Sequence, residues 1–284
     1  DGVGRLRVSM KILALNNLAI LPALLLTGCF LFPEDDPPPR PADGGAPLDA
    51  FTEPGPDAGP PETHPRNERY LRGDLAQRLV IELDYVPGHE PLAGAEADLV
   101  ARLETLVDKP AGIEIVRSDR LSPRGSDHAW THEELGRLAA ESFDDDPTPG
   151  TVVLHVLWVD GHDAGDAGGG VTLGLAFGHQ FIVMFQESLQ RDPILGADVC
   201  REAQYLVWLH EVGHTLGLVD NGLDMVTPHR DADHGRHDES DECIMYWAFE
   251  SRSGISSIRE RLLGGSLPDF DANCLADVAR VRDR

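Results

Sequence analysis

The 284-residue chain is long enough to hold one or two domains with a sizeable apolar core. Its 49 Asp and Glu residues outnumber its 24 Lys and Arg residues, which gives a formal net charge of −25 at pH 7. Because binding to phosphates requires a basic surface, this charge excludes nucleic acid as an expected partner.

The first residues have the composition of an export signal. A lysine follows Met10, an apolar stretch continues to Leu26, and small residues precede Cys29. A basic start, a short apolar core and a small-residue cleavage site are typical of a secretory signal peptide. Asn16, Asn17 and Pro22 interrupt the apolar stretch, which disfavours a transmembrane helix.

The end of this segment, Leu-Thr-Gly-Cys, resembles the bacterial lipobox, whose cysteine carries the lipid anchor of the mature protein. The resemblance implies that residues 1–29 form a lipoprotein signal and that Cys29 attaches the chain to a membrane. The expected location is the bacterial cell envelope, at the outer membrane or the cell surface.

Residues 30–68 are rich in proline and acidic residues. Such a composition buries too little apolar surface to offset the entropy of ordering, and its prolines keep the chain extended. We therefore expect a disordered tether, followed by one domain over residues 69–284.

In chain order, the domain alternates strands with helices. Helical spacing covers Ala95 to Val107, and Thr131 with Glu134 forms a capping box for a helix to about Ser142. Apolar runs predict strands at Leu79–Tyr85, Gly112–Val116, Thr151–Val159, Val171–Phe177 and Phe181–Phe185. The alternation predicts an α/β fold with a mostly parallel sheet.

The Gly- and Asp-rich segment Asp160 to Gly170 is expected to be a mobile connection. Asp160, Asp163 and Asp166 offer oxygen ligands for calcium, but their spacing matches no calcium loop. The mobile connection is the preferred interpretation.

The segment 203–220 carries the strongest functional signal. An apolar helical run leads into His210, Glu211 and His214, which form the pattern HExxH, and Gly217 follows. On a helix, positions i and i+4 lie on one face, so both imidazoles can reach one metal ion beside the carboxylate. This arrangement is typical of a zinc hydrolase, with two nitrogen ligands and a general base. Gly217 suits a helix end, since glycine adopts the left-handed conformation.

The pattern HExxHxxG, followed by a further ligand and a methionine, resembles the metzincin clan of zinc peptidases. The resemblance covers His210 to Met245 and implies a zincin fold with an active-site helix and a smaller C-terminal subdomain. It also implies one catalytic zinc ion and Met245 as an apolar floor beneath the metal.

Two residues compete as the third zinc ligand. Asp220 stands at the position of the usual metzincin ligand, and some metzincin-like peptidases use aspartate there. The segment from His237 to Met245 is similar to the archaemetzincin pattern of His-Cys, four residues, Cys, any residue, Met, with Asp238 replacing the first cysteine. We favour His237, since imidazole is the commoner zinc ligand.

Other candidates for the third ligand are weaker. His229 and His234 lie in the same polar stretch, where solvated side chains are expected for two of its three histidines. A downstream glutamate, Glu250 or Glu260, would leave Gly217 and Met245 without a role.

The cysteines of the domain are Cys200, Cys243 and Cys274. Outside the cytoplasm thiols tend to oxidise. The change at Asp238 leaves Cys243 without the neighbour that the archaemetzincin pattern implies, and we predict a disulfide between Cys200 and Cys274.

The sequence as a whole predicts a monomeric zinc-dependent endopeptidase that acts on a peptide or protein substrate, with Glu211 as general base. An extended substrate is expected to pair with an edge strand around Leu173–Phe177. Two alternatives are a zinc-binding surface lipoprotein without activity and an envelope hydrolase of amides or esters.

Overall fold

A computed structural model describes residues 65–144, 148–166, 171–190, 197–250, 260–261 and 267–284. The predicted signal segment, Cys29 and most of the predicted tether lie outside these residues. Within the described residues, no helix combines the length and apolar character needed to cross a membrane.

A five-stranded sheet forms the centre of the fold. Its strands are β1 (Arg78–Tyr85), β2 (Ile113–Arg120), β4 (Thr151–Val159), β6 (Gly174–Phe177) and β7 (Phe181–Phe185). They lie in the order β2-β1-β4-β7-β6. The first four in this order are parallel and β6 is antiparallel to β7, so the mostly parallel α/β sheet is confirmed.

Helices cover both faces of this sheet. They are α1 (Arg66–Leu71), α2 (Ala95–Leu106), α3 (His132–Ser142), α4 (Gln186–Gln190), α5 (Ala197–Leu216) and α6 (Ala272–Arg282). One apolar core lies between the sheet and α5, where Trp158 of β4 meets Trp208 edge-to-face at 5.2 Å between ring centroids. A second core joins the opposite face of the sheet to Leu135 and Ala139 of α3.

Local chemistry explains several element ends. The Thr131 side chain accepts from the Glu134 amide and the Glu134 side chain accepts from the Thr131 amide, so the predicted capping box is confirmed. Strand β4 is buried at every position, as its continuous apolar run predicts. Helix α5 ends at Leu216, and Gly217 follows with φ +90°.

Several element bounds differ from the prediction. Strand β6 begins at Gly174 rather than Val171, and β2 continues to Arg120. Helix α1 begins at Arg66, ahead of the predicted start of the domain at residue 69.

The segment after β4 contains regular structure where it is described, whereas the sequence predicted only a loop. His162–Asp163 (β5) pairs with Ala129–Trp130 (β3), and a 3₁₀ turn follows at Ala164–Asp166. The Asp160 carboxylate accepts hydrogen bonds from the amides of Arg124 and Gly125. It therefore anchors a neighbouring loop, which the sequence spacing did not reveal.

Candidate metal centre

Helix α5 places two imidazoles side by side. The Nε2 atoms of His210 and His214 lie 3.1 Å apart, and the ring centroids are 4.8 Å apart. Both side chains are buried, with relative exposures of 0% and 9%. The spacing of one helical turn therefore places the two Nε2 atoms side by side, as the sequence predicts.

His237 lies beside this pair although it comes from the loop after α5. Its ring centroid is 5.2 Å from that of His210 and 5.0 Å from that of His214. One nitrogen from each of the three rings lies within 4.8 Å of the others. The chain thus gathers three imidazoles around one point.

Backbone carbonyls orient two of these rings. His210 Nδ1 donates to the Ile244 carbonyl oxygen at 2.6 Å, and His237 Nδ1 donates to the His234 carbonyl oxygen at 2.5 Å. Because a carbonyl oxygen can only accept, Nδ1 carries the proton in each ring. Nε2 then presents its lone pair to the centre, which is the tautomer that a metal-ligating histidine needs.

The arrangement fits a zinc ion. Tetrahedral ligands at the usual Zn–N length of 2.0–2.1 Å lie about 3.3 Å from one another. The 3.1 Å separation between His210 and His214 is close to this distance. Three neutral nitrogen ligands are also the set found in zinc sites that keep one position for water or substrate.

Asp220, the competing ligand, lies outside this group. Its Oδ2 pairs with Nη1 of Arg230 at 3.0 Å and with Nη1 of Arg236 at 2.8 Å, and its side chain is 46% exposed. Asp220 also has φ +59°, so the chain turns through the left-handed region directly after α5. The carboxylate therefore holds the loop that carries His237.

The weaker candidates have other partners. His234 pairs with Asp231 and stacks on Trp247 with ring centroids 4.4 Å apart. Glu260 is exposed, and the side chain of Glu250 lies outside the described residues.

His229 is buried at 1% exposure, against the expectation of a solvated side chain. Its Nδ1 lies 2.7 Å from Asp238 and its Nε2 lies 3.0 Å from Asp277. Burial lowers the pKa of His229, but the two hydrogen bonds outweigh it and raise the pKa to about 9. His229 therefore bridges the loop and helix α6 as a cation.

Glu211 directly follows His210 on α5, and its side chain is only 1% exposed. Strand β6 passes directly against it: a Cβ atom on Gly174 would lie 2.8 Å from both Cγ and Oε1 of Glu211. Only glycine allows this close approach. Strand β6, at the edge of the sheet, therefore packs directly against the Glu211 carboxylate.

Met245 lies beneath α5. Its side chain is fully buried, and a Cβ atom on Gly213 would lie 2.3 Å from its Sδ atom. Gly213, between the two histidines of α5, makes room for the methionine. The methionine therefore packs against α5 at the turn that joins His210 to His214.

The predicted disulfide between Cys200 and Cys274 is wrong. Cys274 is a free thiol whose Sγ atom lies 3.7 Å from Sγ of Cys243, also a free thiol. Asp238 does replace the cysteine of the archaemetzincin pattern, and Cys243 contacts Cys274 instead. The contact joins residues 31 positions apart, so no local pattern indicates it.

A second buried polar group was missed by sequence reasoning. Glu82 and Asp84 of β1 face His155 of β4, and all three side chains are buried. Burial raises the pKa of Glu82 to about 8 despite the hydrogen bond from the Asp144 amide, and Asp84 adds to the increase. The available signal was an acidic residue at alternate positions of an otherwise apolar strand.

No protein-family model matches the sequence, and no curated protein matches it. Among solved structures, the chain is similar to archaemetzincin from Methanopyrus kandleri, with a TM-score of 0.47 and 14% sequence identity. The match covers 73% of this chain and 97% of the other.

Proposed function

We propose that the protein is a zinc-dependent endopeptidase. The observation that carries this proposal is the convergence of the imidazoles of His210, His214 and His237. The Glu211 side chain, on the same helix as two of them, is buried. When bound, zinc would supply Lewis acidity, which acidifies water and polarises a carbonyl group. The three imidazoles would hold the ion through their Nε2 atoms.

Glu211 would act as general base and then as general acid. It follows His210 directly on α5, so we expect its carboxylate to reach a water molecule on the ion. There it can take a proton from the attacking water and return it to the leaving nitrogen of the peptide. Burial protects this proton transfer from bulk solvent.

Strand β6 would hold the substrate. Among the described residues it is the last strand of the sheet, so the side of its backbone that faces away from β7 is available for pairing. An extended peptide could add to this edge by backbone hydrogen bonds, which favour a peptide over other acyl compounds. Because Gly174 brings the same strand against Glu211, the pairing would place a peptide bond near the carboxylate.

Glu211→Gln tests the assignment. The amide keeps the shape of the side chain but cannot accept the proton, so cleavage of an unstructured protein such as casein should fall by roughly 10²–10⁴-fold. Zinc content, measured by plasma emission spectrometry, should not change. Glu202→Gln, on the same helix but away from the three imidazoles, is the matched control and should cleave like the wild type.

The outcomes separate the alternatives. Unchanged cleavage by Glu211→Gln would contradict the proposed role of this residue. Zinc binding without cleavage of any protein or small amide or ester substrate would favour the non-catalytic surface protein. Hydrolysis of small amides or esters alone would favour the envelope hydrolase.

We also propose that Cys29 carries a lipid and tethers a monomeric enzyme to the bacterial envelope. The support is the Leu-Thr-Gly-Cys segment after a short apolar stretch, followed by a proline-rich acidic linker. Mass spectrometry of the mature N-terminus would reveal a diacylglyceryl cysteine, and an unmodified residue 29 would contradict the proposal.

A further inference from the structure

Two buried cysteines meet between the methionine segment and helix α6. Cys243 lies two residues before Met245, and Cys274 lies in the first turn of α6. Both side chains have 0% exposure, and their Sγ atoms are 3.7 Å apart. Nothing in the proposed chemistry uses either thiol.

The backbone already holds the two cysteines together. The Ile244 amide donates to the Asp269 carbonyl oxygen at 2.9 Å, and Cys243 and Asp269 form a β-bridge. The Cys274 amide donates to Oδ1 of Asp271 at 2.9 Å, which caps α6. The two thiols therefore meet because the backbone brings them together, and not by the chance approach of flexible side chains.

We propose that Cys243 and Cys274 form a disulfide bond that ties the segment carrying Met245 to helix α6. A disulfide bond is about 2.05 Å long, so the sulfur atoms must approach by less than 2 Å, within the reach of side-chain rotation. The bond would fix the floor beneath the three imidazoles to the C-terminal helix.

A metal ion is the competing occupant of this region. Donor atoms of His229, Asp238, Asp271 and Cys274 lie within 4.8 Å of one another. However, both nitrogens of His229 are engaged by the carboxylates of Asp238 and Asp277, at 2.7 and 3.0 Å. A ligating imidazole needs one free nitrogen lone pair, so the hydrogen bonds of His229 disfavour a metal here.

The environment sets when the bond forms. The hydrogen bond with Cys243 raises the pKa of Cys274, and burial and the nearby carboxylates raise it further. Since the thiolate is the attacking species, Cys274 is a poor nucleophile in the folded chain, and neither buried sulfur is accessible to an oxidant in solution. We therefore expect the disulfide to form during folding, while both thiols are still exposed to solvent.

The electron balance requires an oxidant. A low-molecular-weight disulfide such as glutathione disulfide, or a disulfide-carrying oxidoreductase, accepts two electrons and is released as two thiols. The Cys243 thiolate first attacks this disulfide and forms a mixed disulfide. The Cys274 thiolate then displaces the second thiol and closes the bond between the two protein sulfurs.

Peptide mapping of the wild-type chain tests the proposal without any variant. The full chain is refolded in a mixture of reduced and oxidised glutathione, alkylated without reduction and digested with trypsin. Cleavage at arginines places Cys243 in peptide 237–252 and Cys274 in peptide 262–280. We expect these two peptides as one linked species, which separates after reduction.

Three results would overturn the proposal. They are alkylation of both cysteines as free thiols, a link from either of them to Cys200 or Cys29, and a second equivalent of bound zinc that is lost when Cys274 is changed to Ser. Zinc content and cleavage report on the proposed peptidase independently, because its assigned residues include neither cysteine.

A urea denaturation experiment measures the effect of the bond on stability. Reduction should lower the urea midpoint of the wild type, because the bond restricts the unfolded chain across 31 positions. The double variant Cys243→Ser/Cys274→Ser should respond less to reductant than the wild type. Equal responses of the wild type and the double variant would also count against the bond.

Discussion

At the scale of single residues, the contact between Gly174 and Glu211 decides how the proposed base is held. The missing side chain lets strand β6 lie against the carboxylate, and φ at Gly174 is not in the left-handed region, so alanine is compatible with its backbone. Space alone therefore makes glycine necessary at this position.

Gly174→Ala should displace the Glu211 carboxylate while the three histidines stay in place. A misplacement of about 1 Å can reduce turnover by roughly 10²-fold, so we expect a loss of this order in kcat with zinc content unchanged. Leu175→Val, on the opposite face of the same strand, is the control. Cleavage at the wild-type rate by Gly174→Ala would show that this contact does not position the base.

Two of the three proposed zinc ligands could be predicted from the sequence, and the third could not be decided from it. The pairing of His210 with His214 follows from helix geometry alone. The choice between Asp220 and His237 depends on the path of the loop between them. Arg230 and Arg236 hold Asp220 away from the imidazoles, and no spacing in the sequence encodes that pairing.

At the scale of elements, strands β1 and β4 carry an ionisable group inside the sheet. The pKa of Glu82 is about 8 in the folded chain, against an ordinary value of 4.5. An acid with a raised pKa folds best when protonated. Its contribution to stability is therefore complete below pH 4.5 and is lost as the pH rises through about 8.

Glu82→Gln should remove this pH dependence. The amide oxygen can still accept from the Asp144 amide, and it carries no charge at any pH. Urea unfolding at pH 5 and pH 9 should show a smaller fall in the midpoint for the variant than for the wild type. Glu114→Gln, on the exposed part of β2, is the control. Equal falls in Glu82→Gln and wild type would contradict the raised pKa.

The elements themselves were largely predictable. Periodic or continuous apolar runs indicated the five strands of the main sheet, and the Thr131 and Glu134 pair indicated the start of α3. The short pairing between β3 and β5 was missed because Trp130 and Asp163 belong to distant, polar segments. The contact of Cys243 with Cys274 was missed for the same reason.

At the scale of the whole molecule, helix α5 and the loop after it form one unit with α6. The loop turns back at Gly217, Asp220 fixes its middle, and His229 connects it to Asp277 of α6. The fold therefore brings His237 to α5 through contacts that span the C-terminal half of the described chain. A third imidazole beside the HExxH pair is a property of the fold and not of the helix alone.

The most direct test is the zinc content of the purified full chain, measured for the wild type, His237→Ala and Asp220→Ala. We predict one zinc per chain in the wild type, little or none in His237→Ala, and near wild-type content in Asp220→Ala, whose exposed carboxylate binds arginines. A wild type without zinc, or an empty site in Asp220→Ala with zinc retained by His237→Ala, would contradict the metal centre proposed for this fold.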